Sequence, residues 1–286
     1  MENFAGLSGK YTDYRDAAIA VLPVPYDATS TWIRGSEKGP EALLEASVAL
    51  EWYDIETRTQ VYEKGIHTCP PVLEDATPEA LCEAVRQQVS KLFADGKFPV
   101  TIGGNHTVGI GTIRAAAQHF TDLTVLQLDA HSDLRSTYEG SELNHACVMY
   151  QAKRLCPITQ VGIRSMCDEE VAYYDPERIF FAHKILFEKD WQQRAVQTLS
   201  KNVYITIDLD VFDPSVLPST GTPEPGGLGY YDVLHFLRTV FESRHVVGFD
   251  VVELCPNPQN RASDFLAARL IYQLMTYKFK DELKRL

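Results

Sequence analysis

Acidic and imidazole side chains recur at a short, regular spacing in two segments of the 286-residue chain. The segment DAHSD carries Asp129, His131 and Asp133 at every second position, and DLDVFD does the same with Asp208 and Asp210. In an extended chain, residues i, i+2 and i+4 point to the same side, so each set is expected to converge. Converging carboxylates repel one another unless a positive charge lies between them. The spacing therefore predicts a site for cations.

A third segment, GGNH, ends at His106 and completes a set of four carboxylates and two imidazoles without a thiolate. Ligands of this kind suit Mn²⁺ and also accept Co²⁺, Ni²⁺ or Zn²⁺. Carboxylates can bridge two metal ions about 3.5–4 Å apart, and a water between such ions becomes a hydroxide nucleophile near neutral pH. A single aspartate at a strand end is usually a helix cap or a turn former. The prediction of a two-metal site therefore depends on the three segments occurring together.

The elements around these segments predict an α/β fold. Short apolar runs alternate with longer amphipathic stretches, which is typical of a parallel sheet with helices on both faces. Strands are predicted at 17–24, 98–103, 123–129, 158–164, 178–182, 203–210 and 245–254, and helices at about 40–50, 77–95, 107–119, 145–155, 187–200, 230–243 and 260–280. Ligands of open α/β sheets bind beyond the carboxyl ends of the strands, where the three segments and Glu253 fall. Nothing divides the chain, so residues 1–286 are expected to form one domain.

Composition narrows the choice of partners and compartment. The chain has 27 Lys and Arg residues against 39 Asp and Glu residues, a formal net charge of −12, which disfavours nucleic acid and favours cations. Its six cysteines form no CxxC pair, and the first residues lack the pattern of a signal peptide. No apolar run approaches the roughly 20 residues that span a bilayer. A cytoplasmic protein without a membrane partner is predicted.

Three other motif families fit these segments less well. GGNHTVGIG lacks the Gly-Lys-Ser/Thr ending of a phosphate-binding P-loop. DLDV is similar to the opening motif of haloacid dehalogenase phosphatases, but that motif belongs on the first strand. GNH and DAH occur in calcineurin-like metallophosphoesterases in the reverse order.

Four segments together resemble one family, the ureohydrolases, which include arginase, agmatinase and their relatives. These segments are GGNH (103–106), DAHSD (129–133), TIDLDVFDPS (206–215) and GFDVVEL (248–254). The resemblance extends over about residues 18–280. It implies a three-layer αβα fold around a mostly parallel, about eight-stranded sheet. It also implies hydrolysis of a guanidino compound to urea and an amine at a two-manganese site, in a homotrimer or homohexamer.

The resemblance also implies a role for each candidate site residue. His106 and Asp133 would bind one metal ion, His131 and Asp210 the other, and Asp129 with Asp208 would bridge both. Asp133 would also hydrogen-bond the attacking hydroxide, Glu253 would orient the guanidinium, and His145 would carry a proton to the leaving amine.

The loop after DAHSD bears on the choice of substrate. It contains Glu139 and Glu142 and lacks an asparagine that arginases carry there, which favours a cationic substrate tail and a similarity to agmatinases. Agmatine, cleaved to putrescine and urea, is the predicted substrate. Arg135, in the same loop, could instead receive a carboxylate. N1-aminopropylagmatine, guanidinobutyrate, formiminoglutamate, arginine and guanidine stay open as substrates, as do a non-catalytic regulatory homologue and a metallophosphatase.

Overall fold

A computed structural model describes residues 2–286, and Met1, the first residue of the predicted domain 1–286, lies outside the described residues. The strands are β1 (Ile19–Val24), β2 (Ile66–Thr68), β3 (Phe98–Gly103), β4 (Leu123–Leu128), β5 (Ile158–Ile163), β6 (Ile179–Phe181), β7 (Asn202–Asp208) and β8 (His245–Val252). They form one sheet in the order β2-β1-β3-β8-β7-β4-β5-β6. Every neighbouring pair is parallel.

Helices cover both faces of this sheet. They are α1 (Gly39–Ser47), α2 (Pro78–Ala94), α3 (Thr107–His119), α4 (Val148–Lys153), α5 (Ala182–Ile185), α6 (Trp191–Gln197), α7 (Tyr230–Ser243) and α8 (Ala262–Phe279). Ala20, Leu22 and Val24 of β1 pack in one core with α2, α3 and α4, whereas Ile19 and Val21 pack in a second core with α1, α6, α7 and α8. This alternation is expected of a strand buried on both faces. The predicted three-layer α/β fold is confirmed.

Several predicted boundaries differ from the observed ones. The strand β2 was not predicted, because three residues are too few to show a hydrophobic period. The helix predicted at 187–200 is shorter, because α6 begins only at Trp191. The short helix α5 lies before the predicted range, and Phe187, between the two helices, is 87% exposed. Within residues 2–286, no helix combines the length and the apolar character that crossing a bilayer requires.

The middle of the sheet brings the chemically interesting segments together. The adjacent strands β3, β8, β7 and β4 lead at their carboxyl ends to GGNH, Glu253, DLDVFD and DAHSD, respectively. Gly104 joins three strand ends: its N–H donates to Val24 O at 2.9 Å, and its carbonyl accepts the Glu253 N–H at 2.7 Å. A Cβ at Gly104 would lie 2.0 Å from Tyr26 O, so only glycine fits there. The close approach of these backbones holds the segments side by side.

Candidate metal centre and cavity

His106 lies at the start of α3 with its ring buried among three aspartates. Its Nδ1 atom is 3.0 Å from Asp133 Oδ2, 3.2 Å from Asp129 Oδ2 and 3.4 Å from Asp208 Oδ2. Only 1% of His106 is exposed. One imidazole nitrogen therefore faces oxygens that come from the ends of two different strands.

His131 forms the second half of the cluster. Its Nδ1 atom is 2.8 Å from Asp210 Oδ2 and 3.7 Å from Asp129 Oδ1. Ligand atoms of His106, Asp129 and Asp208, and those of Asp129, His131 and Asp210, form two groups within which all atoms lie within 4.8 Å of one another. Because Asp129 belongs to both groups and turns a different oxygen to each histidine, it has the geometry of a bridging ligand.

Tight turns, rather than extended strands, make these side chains converge. The strands β4 and β7 end at Leu128 and Asp208, whereas the sequence predicted that they continue to 129 and 210. Asp208 Oδ1 accepts the N–H of Asp210 at 2.9 Å and closes a 3₁₀ turn over Leu209–Val211. Asp133 has a φ of +51°, outside the extended region. These aspartates and His131 are therefore neighbours, as predicted, but turns bring them together and the alternation of an extended strand does not.

The residues fit divalent metal ions on one observation above all. His106 Nδ1 is buried without a hydrogen-bond partner. Its other nitrogen, Nε2, lies 2.9 Å from Thr206 Oγ1, and the Thr206 hydroxyl donates to Asp250 Oδ1 at 2.6 Å. Thr206 therefore accepts the Nε2–H, and the Nδ1 lone pair faces the three aspartates. A nitrogen lone pair that faces carboxylate oxygens is stabilised when a cation lies between them. Imidazole and carboxylate groups are also common ligands of divalent metal ions.

The raised pKa values within the cluster also indicate that it is stabilised by positive charge. Burial and the nearby charge of Asp129 raise the pKa of Asp133 to about 7. Burial, with Asp210 and Asp129 close by, raises the pKa of Asp208 well above its usual value. Burial alone would lower the pKa of His106, but the surrounding aspartates outweigh it and raise that pKa well above the usual value. Without cations, the cluster retains protons instead.

Glu253 lies directly beside this cluster, beyond the end of β8. Its Oε1 atom accepts the backbone N–H of His106 at 2.7 Å, and burial raises its pKa to about 8. The backbone of Glu253 is strained, with a φ of +68°. Such strain in a non-glycine residue is retained where surrounding contacts impose it, and here the short hydrogen bond to Gly104 does so.

His145 approaches the cavity from the loop between β4 and α4. Its Nδ1 atom is 3.2 Å from Thr29 Oγ1, and its ring packs edge-to-face on Tyr138 with centroids 5.8 Å apart. Burial, followed by the positive charge of the two cluster histidines, lowers the pKa of His145 to about 4. The ring is therefore neutral at pH 7.

One cavity of about 270 Å³ joins the cluster, Glu253 and His145, close to the lower end of the range for small-molecule sites. Its wall also includes Thr31, Arg135, Tyr138, Met166, Cys167, Glu170 and Thr222. The guanidinium of Arg135 stacks on Tyr138, with its carbon 4.7 Å from the ring centroid. The structure does not bring Glu139 or Glu142 into this lining. Both are exposed, and Glu142 lies in a separate groove near Arg154, 3.6 Å away.

Sequence reasoning missed three groups that support the centre. Asp250 holds Thr206, although both lie in segments that carried the family resemblance. Glu224 lies beside the cluster, with Oε1 3.9 Å from His131 Nε2. Arg164 donates to the carbonyls of Asp210 at 2.6 Å and of Glu224 at 2.8 Å, which ties the loop after β7 to the ligand turn. No local pattern reveals these partners, since each contact joins distant parts of the chain.

The sheet edge and the cluster define the class of protein, an α/β enzyme with a candidate two-metal centre. The family model "Arginase family" matches residues 17–277. An N(1)-aminopropylagmatine ureohydrolase of Synechocystis sp. is 40% identical over 96% of this chain and 94% of its own length. An agmatinase of Pyrococcus horikoshii is 30% identical over 92% and 93%, respectively. The crystal structure of the agmatine ureohydrolase of Thermoplasma volcanium superimposes with a TM-score of 0.87 at 31% identity, covering 99% of this chain and 96% of that one.

The chain belongs to the arginase family and is a ureohydrolase. The predicted family and the predicted enzyme class are confirmed. The family is dependent on two metal ions and acts on guanidino compounds, which agrees with the paired ligand groups around Asp129.

Proposed function

We propose that this ureohydrolase cleaves aminoalkylguanidines to urea and the free amine, with N1-aminopropylagmatine as the preferred substrate and agmatine as the second. The observation that supports this proposal most directly is that Glu253 lines the same cavity as the ligand cluster. Because the His106 N–H occupies Oε1, the other carboxylate oxygen is available to guanidinium N–H donors. A planar cation held there lies next to the metal ligands.

The six ligand residues would hold two divalent ions, with Mn²⁺ proposed first. His106, Asp129, Asp133 and Asp208 would hold one, and Asp129, His131 and Asp210 the other, with Asp208 also bridging. When bound, the two ions lower the pKa of a shared water and so supply a nucleophile near neutral pH.

The protein's own residues then perform binding and proton transfer. Glu253 orients the guanidinium so that its central carbon faces the nucleophile. Asp133 accepts a hydrogen bond from that nucleophile. The water oxygen becomes the urea oxygen, and the bond from the guanidinium carbon to the alkyl nitrogen breaks. Both protons of the water end on that nitrogen, and His145 accepts one of them and passes it on. Agmatine yields putrescine, and N1-aminopropylagmatine yields the corresponding triamine.

The order of the two substrates follows the relatives. Three curated relatives at 38–40% identity are named N(1)-aminopropylagmatine ureohydrolase, whereas the agmatinase of Pyrococcus horikoshii is 30% identical. The agmatine ureohydrolase of Thermoplasma volcanium, at 31% identity, supports agmatine as the second candidate.

Glu224 is the proposed partner for the cationic tail of either substrate. Its Oε1 atom is 3.9 Å from His131 Nε2, and its side chain is 38% exposed and can therefore meet a ligand that enters from solvent. Glu170, in the cavity wall, is already occupied: it accepts Ser132 Oγ–H at 2.6 Å and two backbone N–H groups. The prediction that Glu139 and Glu142 bind the tail has no support from this geometry.

Urea release from a panel of guanidines tests the proposal. The protein is stripped of metal and reconstituted separately with Mn²⁺, Co²⁺, Ni²⁺ and Zn²⁺. We expect the highest kcat/KM for N1-aminopropylagmatine, then agmatine, with little turnover of guanidinobutyrate or arginine. Preferential turnover of the carboxylated guanidines would overturn the cationic-tail argument. Absence of urea with every substrate and metal would favour the non-catalytic alternative.

A matched pair of glutamine variants tests the tail contact. Glu224→Gln should raise the KM for both aminoalkylguanidines about 10-fold, because one charge pair is lost. Glu139→Gln, on the exposed part of the loop, should leave that KM unchanged. The reverse pattern would return the tail site to the loop predicted from the sequence.

A further inference from the structure

We propose that Glu170 is a positioning residue for the metal centre: its carboxylate holds the two residues that flank Asp133 and so fixes the direction in which Asp133 presents its own carboxylate. This inference rests on the proposed function, in which Asp133 is a metal ligand. Glu170 lies in a 3₁₀ turn, Asp168–Ala172, that follows β5, and only 4% of it is exposed. None of the motifs in the sequence includes it.

The two oxygens of the Glu170 carboxylate contact different segments of the chain. Oε2 accepts the Cys167 N–H at 2.7 Å, which caps the 3₁₀ turn that carries Glu170 itself. Oε1 accepts the Ser132 hydroxyl at 2.6 Å and the Leu134 N–H at 2.7 Å, both in the loop after β4. A capping box needs only the first of these contacts. The contacts of Oε1 therefore serve the loop that carries the ligands.

The donors of these hydrogen bonds have no substitute partner. Two of the three are backbone N–H groups, which can only donate. The third, the Ser132 hydroxyl, has no other hydrogen-bond acceptor within residues 2–286. Ser132 and Leu134 are both buried, so water cannot replace the Glu170 carboxylate as their partner. Without Glu170, the loop must move or leave two buried donors unpaired.

Asp133 lies between the two anchored residues in a backbone conformation that needs support. Its φ of +51° is in the left-handed region, which a residue with a side chain keeps only where its surroundings impose it. The peptide unit that follows Asp133 is held on both sides. Its carbonyl accepts the N–H groups of Met149 at 3.0 Å and Tyr150 at 3.1 Å at the start of α4, and its N–H donates to Glu170. In this conformation, Asp133 Oδ2 lies 3.0 Å from His106 Nδ1.

His131, the other ligand at the start of this loop, is held by different contacts. Backbone hydrogen bonds with Arg164 and Ser165 hold the residues on either side of His131, at N···O distances of 2.8–3.2 Å. None of these bonds involves Glu170. Loss of the Glu170 contacts should therefore move Asp133 and leave His131 in place. Of the two proposed metal ions, the one that Asp133 helps to hold should be weakened selectively.

Glu170→Asp separates the cap from the contacts with the ligand loop. An aspartate can still cap the 3₁₀ turn, as Asp232 caps α7 by accepting the Gly229 N–H at 2.9 Å. Because it is one methylene shorter, it cannot also reach Ser132 and Leu134. Calorimetric titration of the metal-free protein with Mn²⁺ measures the effect. We expect the affinity for one ion to fall about 10–100-fold, as is typical when a partner that orients metal ligands is lost, and the affinity for the other ion to stay close to that of the wild type.

Two further variants complete the comparison. Asp232→Glu also changes a capping box by one methylene, but at an exposed helix start, so it is the matched control and should bind both ions as the wild type does. Ser132→Ala removes one donor to Glu170 Oε1 and leaves the Leu134 N–H, so it should weaken the same ion by a smaller factor. In a Glu170→Asp background, Ser132→Ala should cause no further loss, because the contact is already gone. Ser132→Ala also tests the contact if Glu170→Asp folds poorly.

Electron paramagnetic resonance of bound Mn²⁺ reads the selective loss independently of turnover. The wild type should give the exchange-coupled signal of a metal pair, and Glu170→Asp at the same Mn²⁺ concentration should give the uncoupled signal of single ions. A coupled pair of wild-type affinity in Glu170→Asp, or an equal weakening of both ions, would overturn the proposal. A wild type that binds no pair would overturn the ligand assignment and this inference with it. If the wild type binds the pair but releases no urea, the proposed reaction fails, and the binding data still decide the role of Glu170.

Discussion

Asp129 turns each of its carboxylate oxygens to a different histidine, and two donors hold it in that orientation. His131 N–H donates to Oδ1 at 2.5 Å, and Gln127 Nε2 donates to Oδ2 at 2.7 Å. Burial by itself would raise the pKa of Asp129, but the two histidines outweigh it and hold that pKa below its usual value. The carboxylate is therefore charged and oriented before any ion arrives.

Asp129→Asn removes the charge shared by the two ligand groups. We expect metal affinity to fall by more than the 10–100-fold typical of outer partners, and urea release to be lost. Elemental analysis after dialysis measures this, with the exposed Asp175→Asn as the control. Two ions per chain in Asp129→Asn would contradict the bridging assignment.

Glu253→Gln separates substrate orientation from metal binding. Glutamine can still accept the His106 N–H, so fold and metal content should be preserved. The charge that faces the guanidinium is lost, and charge-assisted hydrogen bonds are about twice as strong as neutral ones, so kcat/KM should fall on the order of 100-fold. Wild-type kcat/KM, or loss of the metal ions, would show that Glu253 does something else.

At the scale of elements, Arg164 connects the loop after β7 to the turn that carries the proposed metal ligand Asp210, without pairing with a carboxylate. Besides the carbonyls of Asp210 and Glu224, it reaches Pro225 O at 3.2 Å and Phe212 O at 3.3 Å. Burial lowers the pKa of Arg164 from its usual high value. One planar cation thus holds the proposed tail carboxylate and a ligand turn in a common frame.

Arg164→Lys should loosen that loop while keeping the charge. A lysine ammonium cannot reproduce the fork of contacts, and hydrogen bonds to charged groups contribute about 1.5–3 kcal/mol each. We expect faster proteolytic cleavage within 219–228 and a higher KM for aminoalkylguanidines. Arg178→Lys, whose guanidinium donates to Thr198 O elsewhere, is the control. Equal cleavage rates for Arg164→Lys and the wild type would show that Arg164 does not hold the loop in place.

Strands and ligand segments were predictable because each has a local signature. Apolar runs marked seven strands, and the motifs named His106 and the four aspartates that the structure brings together. The strand Ile66–Thr68 has no such signature, since its pairing with β1 supplies what its sequence lacks. The contacts of Thr29, Glu224 and Asp250 could not be predicted either, because their partners lie 116, 93 and 44 residues away in the chain. Only the three-dimensional structure shows that these residues are close in space.

At the scale of the whole molecule, part of the negative net charge is concentrated in the proposed metal centre. The chain carries a formal charge of −12, and two divalent ions would offset the four ligand aspartates. The remaining negative field raises the local concentration of cationic substrates, an effect that salt weakens.

Removal of the metal ions should make stability depend on pH in a particular direction. Burial raises the pKa of Glu253 to about 8 and, together with Asp129, that of Asp133 to about 7, so between pH 5 and 8 the folded protein binds more protons than the unfolded chain. Stability of the metal-free protein should therefore fall as pH rises through this range. Urea unfolding at pH 5.5 and 8.0 with a chelator measures it. With metal bound, the fall should be reduced, and a metal-free protein that is more stable at pH 8.0 would contradict the assignment.

The position of β8 in the sheet has a consequence for how the molecule is made. This strand, late in the chain, lies between β3 and β7, so translation produces β3 long before it and β7 only shortly before it. Until β8 enters, the two halves of the sheet expose unpaired edges and His106 has no fixed position beside Asp208. Such non-local pairing is slow and leaves intermediates prone to aggregation. We therefore expect metal ions to bind only after β8 has joined the sheet, so that bound metal would indicate a completely folded chain.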